Sequence, residues 1–341
     1  MNASPLVSFC MSTYKRPAQL RVQLEQILSQ EYTNIEIVVS DNDPDRSGME
    51  VAESISDSRV KYYPNTDNMG MVKSFNKSVA RSSGDFIVMV TDDDPVYPEM
   101  LKLLFELRTK HPDYGVYAGC GDWIIETEFS AQSLKEQVGA KKTMLKDIPE
   151  GEIIIAEANA FPEMYLEGVF SKTFLLWSCC MVERDVIETI KGMPDYGSEL
   201  LTDHAYMIAA SSQRGMVFIN KGLGGQSIRG DNFGFDFERV KEKYLTTPGL
   251  FYKYLKPHLQ RLDNWNLVEK KLWNFIGRGW VEYSLMVLRS LKENKKDTKD
   301  FFSRFNSVFK DRHLAKWKYK FYLKAYFGRT FKLLLKLKPG K

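Results

Sequence analysis

Two hydrophobic patterns alternate along the first part of this 341-residue chain. Short apolar runs rich in β-branched residues predict buried strands, and apolar residues recurring every three or four positions predict amphipathic helices. Four alternations within the first 90 residues favour an α/β layer with a mostly parallel sheet flanked by helices. The predicted strands are Leu6–Met11, Ile35–Val39, Val60–Tyr63 and Phe86–Val90. The predicted helices are 18–30, Met49–Ile55, 71–82 and Met100–Leu107.

The later part of the chain is less regular. Residues 126–150 predict a mobile loop, the glycine-rich stretch Gly222–Gly230 a flexible segment, and the chain from about 236 a helical region. We therefore expect a large α/β domain over 1–235 and a helical appendage over 236–341. Further expected elements are strands at Val116–Gly119, Trp123–Ile125 and Val217–Asn220, a helix at Ser198–Ala210 and a core segment at Phe170–Val182.

Three consecutive carboxylates, Asp92, Asp93 and Asp94, follow the fourth predicted strand. Pro95 and Pro98 prevent that strand from continuing. Three crowded carboxylates are electrostatically costly unless a cation binds them or the side chains diverge into water. Oxygen ligands of this kind suit Mg²⁺ or Mn²⁺. The motif alone therefore leaves two alternatives open, a metal site and a solvated acidic turn.

Polar residues also follow the first two predicted strands, at Thr13–Arg16 and at Asp41. In open α/β sheets, ligands bind outside the carboxyl ends of the strands. The coincidence of three polar clusters at this edge favours a binding site, because an isolated acidic turn would not predict the other two.

Charge is distributed unevenly along the chain. The net charge is +4, but residues 310–341 hold 11 Lys or Arg and one acid, so the remaining body is acidic. Lys316, Lys320 and Lys324 form a basic stripe at helical spacing. A basic helix with an aromatic and aliphatic face can lie in an anionic membrane interface. That face would comprise Tyr319, Tyr322, Tyr326, Leu333, Leu334 and Leu337.

Other partners for this helix stay open, namely packing on its own domain or self-association into a homo-oligomer. Nucleic acid is not favoured, because nothing else in the chain supports it. Four cysteines without a paired spacing indicate thiols in a reducing compartment. The N-terminus lacks the features of a secretory signal, and no apolar run approaches the roughly 18 residues needed to span a bilayer. We expect a cytoplasmic protein, peripheral on the inner face of the cell membrane.

Five segments, taken in order, resemble the GT-A glycosyltransferases of family 2. They are VSFCMSTYKRP, VVSDND, NMGMVKSFNKSV, SGDFIVMVTDDDPVYPEML and LLTDHAYMI, and the resemblance covers roughly residues 5–232. It implies a Rossmann-like GT-A catalytic domain over 1–235, with a nucleotide-sugar half at about 1–98 and an acceptor half at about 99–235. It also implies an inverting, metal-dependent transfer of a sugar from a nucleotide-diphosphate donor.

The resemblance further implies roles for single residues. Asp203 matches the general base, and Asp93 and Asp94 match the binding site of Mn²⁺ or Mg²⁺. Thr91 stands where the commoner DxDD form has an acid, so the division of labour among the three aspartates stays open. Thr202 similarly replaces the acid before the base. The implied nucleotide-sugar-binding residues are Thr13, Tyr14, Arg16, Asp41, Asp43, Asn68, Gly70, Lys73, Asp92 and Arg229.

The chemistry agrees with such a reaction. Breaking a sugar–phosphate bond develops negative charge that a cation stabilises, and the attacking hydroxyl must lose its proton to a base. The leading expectation is transfer to a lipid-linked or polysaccharide acceptor in cell-surface glycan synthesis, with a UDP-sugar as the first choice of donor.

Two alternatives remain open. A nucleotidyltransferase would require a glycine-rich loop after the first strand, and STYKRP contains no glycine. A catalytically degenerate nucleotide-sugar-binding or scaffold protein is disfavoured because Asp92, Asp93 and Asp203 are intact.

Overall fold

The computed structural model describes residues 4–128, 131, 137–139, 141–143, 148–168, 175–228 and 237–336. Its strands are β1 (Val7–Thr13), β2 (Ile35–Asp41), β3 (Val60–Pro64), β4 (Phe86–Thr91), β5 (Val116–Ile125), β6 (Lys141–Thr143), β7 (Ile153–Ala156), β8 (Cys180–Glu183) and β9 (Met216–Ile228). Its helices are α1 (Pro17–Leu28), α2 (Met49–Ile55), α3 (Met71–Arg81), α4 (Met100–Lys110), α5 (Phe161–Glu167), α6 (Arg184–Ile190), α7 (Thr202–Arg214), α8 (Phe237–Leu259), α9 (Trp265–Glu293), α10 (Lys299–Val308) and α11 (Ala315–Lys336).

The described strands form one sheet in the order β3-β2-β1-β4-β8-β5-β9-β7, with β6 paired to β5. Strands β1 to β4 are mutually parallel, and β5 and β9 run in the same direction as these four. The other three strands run in the opposite direction. The predicted α/β class with a mostly parallel sheet and a helical C-terminal part is therefore confirmed.

The strand register brings the polar clusters together at one edge. Thr13 at the end of β1 is paired with Asp41 at the end of β2. On the other side of β1, Ser12 is paired with Thr91, the residue directly before the three aspartates. Strand β1 is therefore central, and the residues that follow β2 and β4 flank the loop that follows β1.

The glycine-rich stretch differs from its prediction. Residues 222–228 of this stretch belong to strand β9 and are not a separate flexible segment, and residues 229–230 lie outside the described residues. A Cβ atom on Gly224 would lie 2.6 Å from the carbonyl oxygen of Pro95 and 2.9 Å from the sulfur of Cys179. Gly224 therefore permits a close approach of β9 to the acidic turn. Glycine content alone had predicted flexibility for this stretch.

Three other differences are local. Strand β5 runs unbroken from Val116 to Ile125 instead of forming two strands. Residues 126–150, predicted as a loop, include β6, which pairs with the end of β5. Strand β7 was not predicted. It pairs with β9, but two of its four side chains are exposed, which weakens the hydrophobic signal of a strand.

The C-terminal helices pack on the α/β part and on one another. Helix α8 contacts α7, and α9 contacts α5. Buried aromatic side chains continue the hydrophobic core into this region, among them Tyr244, Trp280 and Phe305. The expected boundary at residue 235 lies outside the described residues and stays a prediction. In the part of the chain that the structure describes, no helix combines the length and apolar character needed to cross a membrane.

A buried carboxylate, Glu36, ties the amino-terminal ends of the central strands together. It accepts hydrogen bonds from the Ser8 hydroxyl at 2.6 Å, the Ser83 amide at 2.5 Å and the Lys61 ammonium group at 2.5 Å. Burial opposes ionisation, but these hydrogen bonds prevail and lower the pKa of Glu36 to about 2. The charged form therefore stabilises the fold.

Glu36→Gln keeps the shape of the side chain and removes its charge. Because the folded-state pKa lies below the ordinary value, the stabilisation is present above about pH 4.5 and is lost as the pH falls towards 2. We expect the variant to lower the free energy of unfolding by about 2 kcal/mol at pH 7 and by much less at pH 3, measured by urea unfolding. Glu53→Gln, at an exposed site on α2, is the control. An equal loss at both pH values would contradict the assignment.

Candidate active site

The loop after β1 is bonded to the acidic turn after β4. The Thr13 hydroxyl donates to a carboxylate oxygen of Asp92 at 2.7 Å. The Arg16 guanidinium donates to Asp92 at 3.3 Å and to Asp93 at 2.7 Å. One strand end therefore supplies the hydroxyl and the cation, and the neighbouring strand end supplies two of the three carboxylates that the sequence places in a row.

The third carboxylate faces the other side of the turn. Asp94 accepts a hydrogen bond from the backbone amide of Ser227 in β9 at 3.3 Å. Its carbonyl oxygen accepts from the side-chain amide of Gln23 in α1 at 2.8 Å. Asp94 thus connects the turn to both α1 and β9. Of the three aspartate side chains, that of Asp93 is the least buried.

Negative charge in this turn exceeds what the neighbouring cation neutralises. Burial and the charge of Asp93 raise the pKa of Asp92 to about 6, despite the opposing effects of Thr13 and Arg16. Burial and the charge of Asp93 likewise raise the pKa of Asp94 to about 7, despite the hydrogen bond from Ser227. A site with raised carboxylate pKa values favours binding of an additional cation.

The residues at the end of β2 are organised by Asp41. Its buried carboxylate accepts hydrogen bonds from the Asp43 amide at 2.8 Å, the Gly48 amide at 3.0 Å and the Tyr62 hydroxyl at 2.6 Å. Asp43 is also buried, and the Lys15 ammonium group lies 4.0 Å from its carboxylate. The structure therefore brings the loops after β1 and β2 together, as the sequence predicts.

Asn68, Gly70 and Lys73 lie beside this edge. The carbonyl oxygen of Gly70 accepts a hydrogen bond from the Asn42 side chain at 3.1 Å, and the Gly70 amide donates to Asn68 at 3.1 Å. Gly70 has a φ of +87°, a conformation that side-chain-bearing residues rarely adopt, and it precedes helix α3. Lys73 is exposed in the first turn of that helix. Tyr14 is also partly exposed, with the Lys15 ammonium group 5.5 Å from its ring centre.

Asp203 is exposed in the first turn of helix α7, which begins four residues later than predicted. The preceding residues are held as a loop: the Ser198 hydroxyl bonds to the Thr247 hydroxyl of α8 at 2.6 Å. Leu201 has a φ of +66°, unusual for a residue with a branched side chain. Next to Asp203, ring nitrogen Nδ1 of His204 lies 2.6 Å from the Tyr165 hydroxyl.

The sequence did not predict three residues that make contacts in this region, namely Gln23, Ser227 and Tyr165. Gln23 did carry a signal, because it is a glutamine on the inward face of α1 beside Leu24. Ser227 acts through its backbone amide, which any residue except proline could supply. Arg229 lies outside the described residues.

A hard divalent cation fits the acidic turn by its donor set. No group of three or more His, Cys, Asp or Glu side chains in the described ranges is arranged as a metal cage. Mg²⁺ in nucleotide sites commonly takes only one or two carboxylates and completes its shell with substrate phosphates and water. Asp93 fits this requirement, because its carboxylate is more exposed than that of the neighbouring Asp92.

Comparison with known sequences decides the family. The profile described as Glycosyl transferase family 2 matches residues 8–190, more than half of the chain. This chain belongs to glycosyl transferase family 2. The predicted family and enzyme class, glycosyltransferase, are therefore confirmed.

Two curated relatives illustrate the extent of similarity among family 2 proteins. Abequosyltransferase RfbV of Salmonella typhimurium is 33% identical over 260 residues, which cover 74% of each chain. Putative glycosyltransferase EpsE of Bacillus subtilis is 29% identical over 157 residues, 45% of this chain. The chain spans about half the length of EpsE, 53%.

Solved structures share the fold at low sequence identity. S. aureus TarS in complex with UDP superposes with a TM-score of 0.60 at 13% identity, covering 95% of this chain and 93% of that one. A mannosyltransferase from Pyrobaculum calidifontis, in complex with GDP-Man and Mn²⁺, gives a TM-score of 0.50 at 12% identity, covering 95% and 88%. The GT-A fold expected for this family 2 chain is thus confirmed.

Asp94→Asn tests the electrostatic cost of the acidic turn. Because the folded-state pKa of Asp94 is raised, the native protein binds more protons than the unfolded chain between about pH 4 and pH 7, and stability falls as the pH rises through that window. We expect the free energy of unfolding of the variant to exceed that of wild type by about 2 kcal/mol at pH 8 and to differ little from it at pH 4. The measurement is urea unfolding in EDTA. Asp113→Asn, at an exposed position, is the control. Lower stability of Asp94→Asn at pH 8 would refute this account.

Proposed function

We propose that this chain is an inverting glycosyltransferase. It moves a sugar from a nucleotide-diphosphate donor, a UDP-sugar in the first instance, to a hydroxyl of a lipid-linked or polysaccharide acceptor in cell-surface glycan synthesis. The observation that carries the proposal is the bonding of Thr13 and Arg16, after β1, to Asp92 and Asp93, after β4. This arrangement lies at the carboxyl edge of parallel strands, where α/β sheets bind ligands.

The donor half of the site comprises the loops after β1, β2 and β3. Here Asp41 orders the loop after β2 through backbone amides, and Asn42 ties that loop to Gly70. Family membership and the structural similarity to TarS in complex with UDP support a nucleotide in this half. The proposed nucleotide-sugar-binding residues are Thr13, Tyr14, Arg16, Asp41, Asp43, Asn68, Gly70, Lys73, Asp92 and Arg229.

Mn²⁺ or Mg²⁺ would be held by Asp93, with Asp94, whose carboxylate also accepts from the Ser227 amide, as the second proposed ligand. When bound, the ion neutralises negative charge on the diphosphate leaving group. The similarity to a mannosyltransferase in complex with Mn²⁺ supports this assignment. Arg16 already contacts both Asp92 and Asp93, so its guanidinium is near enough to the turn to bind a donor phosphate held there.

Asp203 is the proposed general base. It is exposed, so an acceptor hydroxyl can approach it, and it is separate in sequence from the acidic turn. Inversion requires one base to take the proton of the attacking hydroxyl and no enzyme nucleophile. Under this proposal, residues of about 1–98 bind the donor, those of about 99–235 bind the acceptor, and helix α8 supports the loop that precedes Asp203.

Asp93→Asn should separate a metal-assisted donor site from a metal-independent one. We expect the variant to weaken UDP-sugar binding in Mn²⁺ at least about tenfold, because the amide is a poor ligand for a hard cation. Binding is measured by calorimetry with Mn²⁺ and with EDTA. In wild type, EDTA should cause a similar loss. Asp113→Asn is the control, and unchanged Mn²⁺-dependent binding by Asp93→Asn would exclude the assigned ligand.

Asp203→Asn should separate catalysis from donor binding. We expect donor affinity within about twofold of wild type and a transfer rate lower by about 10²–10⁴, the usual contribution of a general base. Asp195→Asn, at an exposed position eight residues earlier, is the matched control. Full transfer by Asp203→Asn would remove the base assignment. Donor binding without transfer in wild type, across a panel of acceptors, would favour the binding-protein alternative.

A further inference from the structure

The outer face of helix α11 carries the two most exposed of the large hydrophobic side chains in the described residues. Tyr319 is 69% exposed and Tyr326 is 63% exposed. They are seven residues apart, so they lie two turns apart on one face of the helix. Exposed apolar groups that share one face can mark an interaction surface.

The opposite face of the same helix accounts for its attachment to the protein. Phe321 is fully buried, with its ring centre 4.1 Å from that of Phe305 in α10. Trp317 packs against Gly277 in α9, where a Cβ atom would lie 2.2 Å from the indole ring. Helix α11 is therefore docked through Trp317 and Phe321. Tyr322 packs beside them, with its ring centre 5.8 Å from that of Phe305, and Tyr326 stacks on Tyr322 at the edge of this contact.

The sequence that contains the tyrosine face is strongly basic. Residues 312–341 contain ten Lys or Arg and no acidic residue. Lys316 and Lys320 are exposed and lie at the border between the tyrosine face and the docked face. The Lys316 ammonium group donates to the Asn274 side chain of α9 at 2.7 Å, and the Lys320 ammonium group lies 4.2 Å from the Trp317 ring centre. Lys324 pairs with Glu282 of α9, so it contributes less.

We propose that this face, defined by Tyr319 and Tyr326 and bordered by Lys316 and Lys320, docks the protein on an anionic lipid surface. Tyrosine places an apolar ring and a polar hydroxyl at the level of the headgroups, and lysine side chains are attracted to anionic lipids. The helix lies flat, since its inner face remains packed on α9 and α10. Only the structure separates the docked face from the exposed face, because Phe321, which is buried, and Tyr319, which is exposed, are both aromatic in sequence.

Vesicle binding tests this surface with the full chain and without donor or acceptor, so its outcome is independent of the proposed transfer reaction. We expect wild type to sediment with phosphatidylcholine vesicles containing about one-third phosphatidylglycerol, and not with pure phosphatidylcholine. High salt should weaken the binding because charge attraction is screened. Equal binding to both vesicles, or binding to neither, would overturn the proposal.

Two double variants test the named residues. Tyr319→Ser with Tyr326→Ser, and Lys316→Glu with Lys320→Glu, should each reduce partitioning by about tenfold or more. Val22→Ser, at an exposed apolar site on α1, and Lys77→Glu with Lys110→Glu, at exposed sites on α3 and α4, are the matched controls. Circular dichroism checks that each variant folds. Binding reduced equally in the variants and their controls would refute the assigned face.

Hydrogen exchange on wild type provides a measurement that needs no variant. We expect anionic vesicles to slow amide exchange over 315–326 and to leave α1 unchanged. The alternative partner for this face is a second copy of the chain. Light scattering without vesicles measures whether the protein forms such a dimer. A concentration-dependent dimer that is lost in the tyrosine variant, without vesicle protection of α11, would replace the lipid proposal with a self-contact.

Discussion

The site depends on crowding three neighbouring carboxylates, two of them buried, at the end of a central strand. Such a turn is electrostatically unfavourable in isolation, and the raised pKa values of Asp92 and Asp94 report that cost. The surrounding structure holds it through Thr13 and Arg16 on one side and the Ser227 amide on the other. These contacts stabilise the ionised carboxylates only in part, so the turn still attracts a cation. The proposed donor site requires such a cation.

The arrangement of the sheet makes this burial feasible. Strand β1 lies between β2 and β4, so the loop carrying Thr13 and Arg16 is adjacent to both other polar loops. Strand β9 approaches the turn from the opposite side, and Gly224 permits that approach because any Cβ there would collide with Pro95. The acidic turn is thus enclosed by elements more than 100 residues apart in sequence.

The C-terminal helices contribute to the site from a distance. Ser198 and Thr247 are hydrogen-bonded, and the His204 ring centre lies 5.2 Å from that of Phe275 in α9. These contacts surround the loop and helix start that carry Asp203. Helices α8 and α9 therefore support the segment that carries Asp203, while α11 presents a separate outer face to solvent.

The sequence by itself determined the α/β class, the first four strands and the three polar clusters at strand ends, because hydrophobic periodicity and strand-ending residues are local signals. It also determined the family, because several motifs occur in order. Tertiary structure alone decided that Gly222–Ile228 belongs to a strand, that Asp94 bonds to the Ser227 amide, and that Phe321 faces inward while Tyr319 faces solvent. Those outcomes depend on which distant backbone or side chain lies opposite, and no local pattern of residues encodes that neighbour.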